Sequence, residues 1–187
     1  FELPMVAVVG CGYWGKNLVR NFRDLGALGM VCDPSEQGRS LARELSPETP
    51  VVENLESVLR EEKIAAVAIA TPAETHKEMA EQCMRRGKDA FIEKPMALTV
   101  AEGESMLAVS NSCERILMVG HLLEYHPAVV KLRSLVESGE LGKVNYIYSN
   151  RLNFGKVRTE ENVLWSFAPH DLAVIMRLMG ETPSEVS

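Results

Sequence analysis

The sequence predicts an α/β protein built on a doubly wound parallel sheet, and three observations carry that reading. Short apolar runs of strand length recur through roughly the first two thirds of the chain. Helix-like runs with apolar residues at helical spacing lie between them. The strand runs are uniformly apolar rather than alternating, which is how strands buried on both faces read.

In order, Met5 to Val9 is apolar and valine-rich and ends at Gly10. A helix is expected from Tyr13 to Leu25, then a strand from Leu28 to Cys32 and a helix from Pro34 to Leu45. Val51 and Val52 form a weak third strand, followed by a short helix from Leu55 to Arg60. Ala65 to Ala70 is the fourth strand. The helix from Ala73 to Arg86 sets Met79, Ala80, Cys83 and Met84 on one face, with Gly87 as its stop. Ala90 to Ile92 is the fifth strand. Thr99 with Glu102 forms a capping box for a helix ending near Ser110, and Ile116 to Val119 is the sixth strand.

The pattern changes after Gly120. A helix is expected from Pro127 to Glu137, stopped by Gly139, then a strand from Val144 to Asn150. A last helix is expected to start near Pro169, with Leu172, Ile175, Met176 and Met179 on one face. One strand and two helices leave a sheet unfinished. Residues 1–120 therefore read as one complete doubly wound domain. Residues 121–187 read as the incomplete start of an α+β domain.

Composition narrows the function classes. The 187 residues, 46% hydrophobic and 25% charged, suffice for one cored domain and part of a second. A net charge of -6 without a basic run argues against nucleic acid as a partner. No apolar run is long enough to span a membrane, and the first residues lack a signal-peptide pattern. Cys11, Cys32, Cys83 and Cys113 form no C-x-x-C pair and read as reduced thiols of a cytoplasmic protein. His121, His126, His170 and Asp171 lack a tight ligand pair, so no metal site is expected.

Gly10-Cys11-Gly12-Tyr13-Trp14-Gly15 is G-x-G-x-x-G. Glycines alone mean little, but here they follow a strand and open a helix. Gly10 permits the tight turn, Gly12 lets a pyrophosphate approach the backbone, and Gly15 lets helix and strand pack closely. The helix start offers unpaired N–H groups to the phosphates. Asp33 ends the second strand, 23 residues after Gly10. A carboxylate there accepts ribose hydroxyls and repels a 2′-phosphate, which favours NAD over NADP. Asp33-Pro34-Ser35-Glu36 also reads as a helix start capped by Asp33 with Pro at the first position. The nearest arginine downstream is Arg39.

Three further segments narrow the reading: Ala70-Thr71-Pro72 followed by Thr75-His76, then Glu93-Lys94-Pro95, then Ala168-Pro169-His170-Asp171. With the glycine loop, this order resembles the Gfo/Idh/MocA family of oxidoreductases, over essentially the whole chain. The resemblance implies a Rossmann domain followed by an open antiparallel sheet used for substrate binding and subunit contact. It implies a homo-oligomer when that sheet is complete, and a chain shorter than the family plan. It makes Lys94 and His170 the catalytic pair. It sets Tyr13 and Trp14 with the glycines at the cofactor, Thr71, Pro72 and His76 along its nicotinamide side, and Glu93 at its ribose.

The residues support part of this independently. Lys94 ends a parallel strand, the edge where open α/β sheets bind ligands, and a neighbouring nicotinamide cation would lower its pKa. The resemblance also implies a cis peptide before Pro95. His170 is expected at a helix start, where the dipole disfavours a cation and keeps the imidazole neutral. Two departures stand out. Ser166 occupies the place of the aspartate that many members carry four residues before the histidine. Gly120-His121-Leu122-Leu123-Glu124-Tyr125 replaces the usual Asn and Arg after the sixth strand.

The polar, cationic stretch from Asn150 to Arg158 is a candidate substrate loop. Arg151, Asn153, Lys156 and Arg158, with Trp165 and His170, are candidate contacts for a diphosphate or carboxylate. The stretch resembles members that oxidise nucleotide-linked amino sugars at C3, such as UDP-N-acetylglucosaminuronate 3-dehydrogenases. The reaction implied is hydride transfer from a sugar or uronate carbon to the nicotinamide. A non-catalytic NAD-binding sensor and a dehydrogenase of free sugars or inositols are the alternatives.

Overall fold

The computed structural model describes residues 3–150, 152 and 163–186. The chain divides into two compact units, Phe1–Gly120 and His121–Ser187.

The first unit is a six-stranded sheet, parallel throughout, with helices in the crossovers. Its strands are β1 (Met5–Val9), β2 (Leu28–Cys32), β3 (Val51–Val52), β4 (Ile64–Ile69), β5 (Asp89–Ile92) and β6 (Leu117–Val119). The helices are α1 (Gly15–Asp24), α2 (Glu36–Leu45), α3 (Leu55–Arg60), α4 (His76–Arg85) and α5 (Val100–Cys113), with a 3-10 turn at Ala73–Thr75 ahead of α4. Strand order is β3-β2-β1-β4-β5-β6. The chain first builds outward from β1 on one side, then returns to build on the other. That reversal opens a crevice beside β1 at the C-terminal edge of the sheet.

Why the strand runs are uniformly apolar follows from the packing. Ala7 and Val9 of β1 join Val67, Ile69, Ala90 and Ile92 beneath α3, α4 and α5. Val6 and Val8 point the other way and join Leu28, Val31 and Ala68 against Val19 of α1 and Ala42 of α2. Both faces are dry, so each fully buried valine contributes about 1.5–3 kcal/mol by leaving water.

Local signals terminate the helices largely as expected. Thr99 and Glu102 form the reciprocal capping box of α5, and Gly87 follows α4 at φ +76°. Ser35, rather than Asp33, caps α2: its Oγ accepts from Gly38 N at 3.0 Å, and Pro34 lies outside the helix. The Asp33 carboxylate accepts instead from Cys11 N, Ser35 N and Ser35 Oγ. At the opposite edge of the sheet, Lys88 is 4% exposed and donates from Nζ to the carbonyls of Glu61 and Ile64, both at 2.7 Å. Burial pushes its pKa down.

The second unit holds a 3-10 turn at Leu122–Tyr125, α6 (Pro127–Glu137) and α7 (Val163–Met179). His126 caps α6, with Nδ1 accepting from Ala128 N at 3.2 Å and Pro127 at the first helical position. Arg177 of α7 pairs with Glu124 of the turn at 2.6 Å. Two expectations are corrected. Residues Val144 to Asn150 form no strand: no described strand of this unit lies alongside, and a lone strand leaves its N–H and C=O groups unpaired. The last helix begins at Val163, not near Pro169. Proline removes one backbone bond and crowds one carbonyl, but no breaker lies among residues 163–168, so the helix extends ahead of it.

Among the described residues, no helix is long and apolar enough to cross a membrane.

Candidate functional site

The C-terminal edge of the sheet collects the chemistry. Val9 is in register with Cys32 on one side and Ile69 on the other, Ile69 with Ile92, and Ile92 with Val119. The residues that follow therefore form a row: Asp33, Gly10, Ala70, Glu93 and Gly120. Backbone bonds hold that row, with Gly10 N to Cys32 O at 2.8 Å, Ala70 N to Val9 O at 2.8 Å, Glu93 N to Ile69 O at 3.0 Å and Gly120 N to Ile92 O at 2.8 Å.

The glycine loop spans the crevice above β1. Gly10 has φ +91°, and a Cβ there would sit 2.8 Å from the Ala70 carbonyl oxygen. At Gly15 a Cβ would run into the Gly10 carbonyl, so α1 can start this close only without a side chain. Gly12 differs: nothing lies within 4 Å of the place its Cβ would occupy. Its lack of a side chain is unneeded for packing and leaves backbone open to a ligand at the start of α1. Tyr13 is well exposed on that side, with Lys16 Nζ 5.4 Å from its ring centre.

Asp33 is 7% exposed and braces the loop. Its Oδ2 accepts from Cys11 N at 2.7 Å, while Oδ1 accepts from Ser35 N at 2.9 Å and Ser35 Oγ at 2.7 Å. A carboxylate offers about four lone-pair sites, so one remains on Oδ2. The negative charge stays beside the loop, and it joins burial in pushing the Cys32 thiol up to about 11.

Across the crevice, Trp14 Nε1 donates to Glu93 Oε1 at 2.6 Å and ties the glycine loop to the end of β5. Glu93 is 9% exposed, and its Oε2 accepts from Lys94 N at 3.3 Å. Burial pushes its pKa above the usual carboxylate value, opposed by these two hydrogen bonds and the nearby Lys94 and His76. The Lys94–Pro95 peptide is cis.

Thr71 and Pro72 follow the row on the β4 side. Thr71 Oγ1 lies 2.6 Å from Thr75 Oγ1, which reaches Pro72 O at 2.7 Å. His76, expected along the nicotinamide side of the cofactor, is 1% exposed beneath these loops. Its Nδ1 lies 2.9 Å from Pro95 O and its Nε2 2.9 Å from Thr71 O, so it fastens the end of β4 to the end of β5.

The structure thus gathers Gly10, Gly12, Tyr13, Trp14, Gly15, Asp33, Thr71, Pro72, Glu93 and Lys94 on one edge. His170 and Trp165 belong to α7 of the second unit. His170 is the eighth residue of α7, too far along for the first-turn dipole to act on it, so that part of the expectation is corrected. Its neighbour Asp171 accepts from Ser149 Oγ at 3.0 Å. Arg151, Asn153, Lys156 and Arg158 lie outside the described residues, as does the side chain of Trp165. Sequence reasoning missed Ser35, which shares Asp33, and Gly120, where a Cβ would stand 3.1 Å from Glu93 Oε1. The Ser35 contact is an Asx-turn bond between residues two apart and could have been read locally, whereas the Gly120–Glu93 approach joins segments distant along the chain and carries no local signal.

A parallel sheet with this strand order and this loop defines a Rossmann dinucleotide-binding domain. The model for the oxidoreductase family with an NAD-binding Rossmann fold matches residues 5–121, and the chain belongs to that family, Gfo/Idh/MocA. It is 30% identical over 192 residues to a 2,7-anhydro-N-acetylneuraminate hydratase of Mediterraneibacter gnavus, covering 97% of this chain and 50% of the relative. It is 29% identical over 181 residues to a UDP-N-acetylglucosamine 3-dehydrogenase of Acidithiobacillus ferrooxidans, covering 96% and 55%. The fold matches the crystal structure of GenD2 from gentamicin A biosynthesis in complex with NAD, at TM-score 0.82 and 22% identity over 96% of this chain and 54% of that one. The chain spans about half the length of the curated relatives it matches.

Proposed function

We propose that the chain supplies the cofactor half, and the start of the catalytic half, of an NAD-dependent oxidoreductase acting on a sugar hydroxyl carbon. The observation that carries this is the bond from Trp14 Nε1 to Glu93 Oε1. It joins the loop that would receive the pyrophosphate to the strand that ends in Lys94. Gly10, Gly12 and Gly15 admit the phosphates, Asp33 addresses the adenosine ribose, and Glu93 addresses the nicotinamide ribose. NAD held by these residues would supply the hydride acceptor.

The chain's own groups position and exchange protons. Lys94, at the strand end beside the nicotinamide, takes the hydroxyl proton. His170 serves as the second acid–base group. Arg151, Asn153, Lys156, Arg158 and Trp165 hold the substrate's anionic part. The substrate class is a nucleotide-linked amino sugar or uronate. Two relatives named for N-acetylated compounds support it, one of them a UDP-sugar. A homo-oligomer completed through an open sheet belongs to the same reading. The four free cysteines support a reducing compartment.

The test follows both NADH absorbance and substrate consumption, since one relative is named for hydration. UDP-N-acetylglucosamine and its uronate are offered to wild type, Lys94→Ala and His170→Ala. Turnover in wild type, with at least about a thousandfold loss in Lys94→Ala while NAD still binds, supports the assignment. Turnover undiminished in Lys94→Ala overturns it.

A further inference from the structure

Beyond Asp33, at the start of α2, one carboxylate gathers two guanidinium groups. Glu36 Oε2 accepts from Arg39 Nε at 3.1 Å and Nη2 at 2.7 Å. Its Oε1 accepts from Arg43 Nη1 at 2.9 Å and from Ser40 Oγ at 3.2 Å. Arg39 is in turn fixed to the loop after β2: its Nη1 donates to the carbonyls of Asp33 at 3.1 Å and Pro34 at 2.8 Å. Glu53 lies 4.0 Å from the same Nη1. A guanidinium therefore stands beside the residue that addresses the adenosine ribose, which is where dinucleotide sites that accept NADP place an arginine for the 2′-phosphate.

That phosphate would bring its own acceptor oxygens to the α2 N-terminus, and would need the Arg39 guanidinium and a second cation to donate to them. Glu36, the first residue of α2, already supplies the acid oxygens at that helix start, and both arginines are bonded to it. The Arg43–Glu36 pair is exposed on both sides, at 52% and 65%, and such pairs contribute little to stability, whereas Arg39, 14% exposed, is held against the loop after β2.

We propose that Glu36 is a second determinant of NAD-over-NADP selectivity, a resident carboxylate that occupies the arginines a 2′-phosphate would need. Asp33 disfavours the phosphate by charge at the ribose, and Glu36 disfavours it by engaging the cations that would compensate. Gly38 supports the arrangement: a Cβ there would collide with the Asp33 carboxylate, so the turn into α2 keeps Asp33 and Arg39 close.

The inference rests on the glycine loop being a dinucleotide site. Its test titrates NAD and NADP into wild type, Glu36→Gln and the double variant Glu36→Gln with Arg39→Ala. Thermal melts confirm that all three fold. The expected result is NADP affinity raised about tenfold in Glu36→Gln, NAD affinity changed by less than about twofold, and the NADP gain lost in the double variant. Unchanged NADP affinity in Glu36→Gln, with NAD binding intact, overturns the inference and leaves the cofactor reading standing. A gain that persists without Arg39 also overturns it. A wild type that binds neither dinucleotide overturns both.

Discussion

In the first unit Val8, Val31, Val67, Ala68, Ile69 and Ile92 are wholly enclosed. In the second, Leu122, Tyr125, Val130, Tyr146, Tyr148 and Leu172 stand in the open, and Leu178 is its buried hydrophobic residue among those described. The two stretches use similar residue types. They differ in what lies alongside: each strand of the first unit has a parallel neighbour and helices over its faces, whereas residues 144–150 have the pattern of a strand and no described strand of their unit to pair with. Apolar patterning specifies structure only where the partner surface is also present.

The largest expected effect separates the units. Residues 1–120 expressed alone should melt cooperatively by circular dichroism and bind NAD within about threefold of the whole chain, whereas residues 121–187 alone should show no cooperative transition. A cooperative melt of the second piece would break the comparison.

Within the first unit, Gly15→Val forces a side chain against the Gly10 carbonyl and should lower stability by at least about 3 kcal/mol in urea titrations, with NAD binding lost. Lys88→Met leaves two carbonyls without their donor and should lower stability by about 2–3 kcal/mol at unchanged NAD affinity, because the site is at the other edge.

The smallest effect sharpens the electrostatics. Burial raises the Glu93 carboxyl pKa above 4.5 in the folded chain, so the fold favours its protonated form. That stabilising contribution is complete below the ordinary carboxylate pKa and is lost as pH rises through the raised value. Melting temperatures across mildly acidic to neutral pH should therefore fall more for wild type than for Glu93→Gln. Parallel curves would show that Glu93 is not held this way.

Legibility followed the range of the interactions. The glycine loop, the capping box at Thr99 and the strands β1, β2 and β4 could be read because each depends on neighbours in sequence or on burial from both sides. At Asp33 the bonds from Ser35, two residues on, are of the local Asx-turn kind, whereas the bond from Cys11 N crosses between strand ends and could not be read. The bonds of His76 and Trp14 could not be read, because they run to Pro95 and Glu93 across the sheet. Pro169 misled for a simpler reason: proline at a helix start is a preference, and here the helix runs through it.

If the backbone at Gly12 receives a pyrophosphate, Gly12 allows a direct test, because among the described residues nothing beyond its chain neighbours lies within 4 Å of where its Cβ would be. Calorimetric titration of NAD into wild type and Gly12→Val, with thermal melts alongside, is the measurement. The account predicts an affinity loss of at least about a hundredfold with melting temperatures nearly equal. Equal affinity in the two proteins would contradict it.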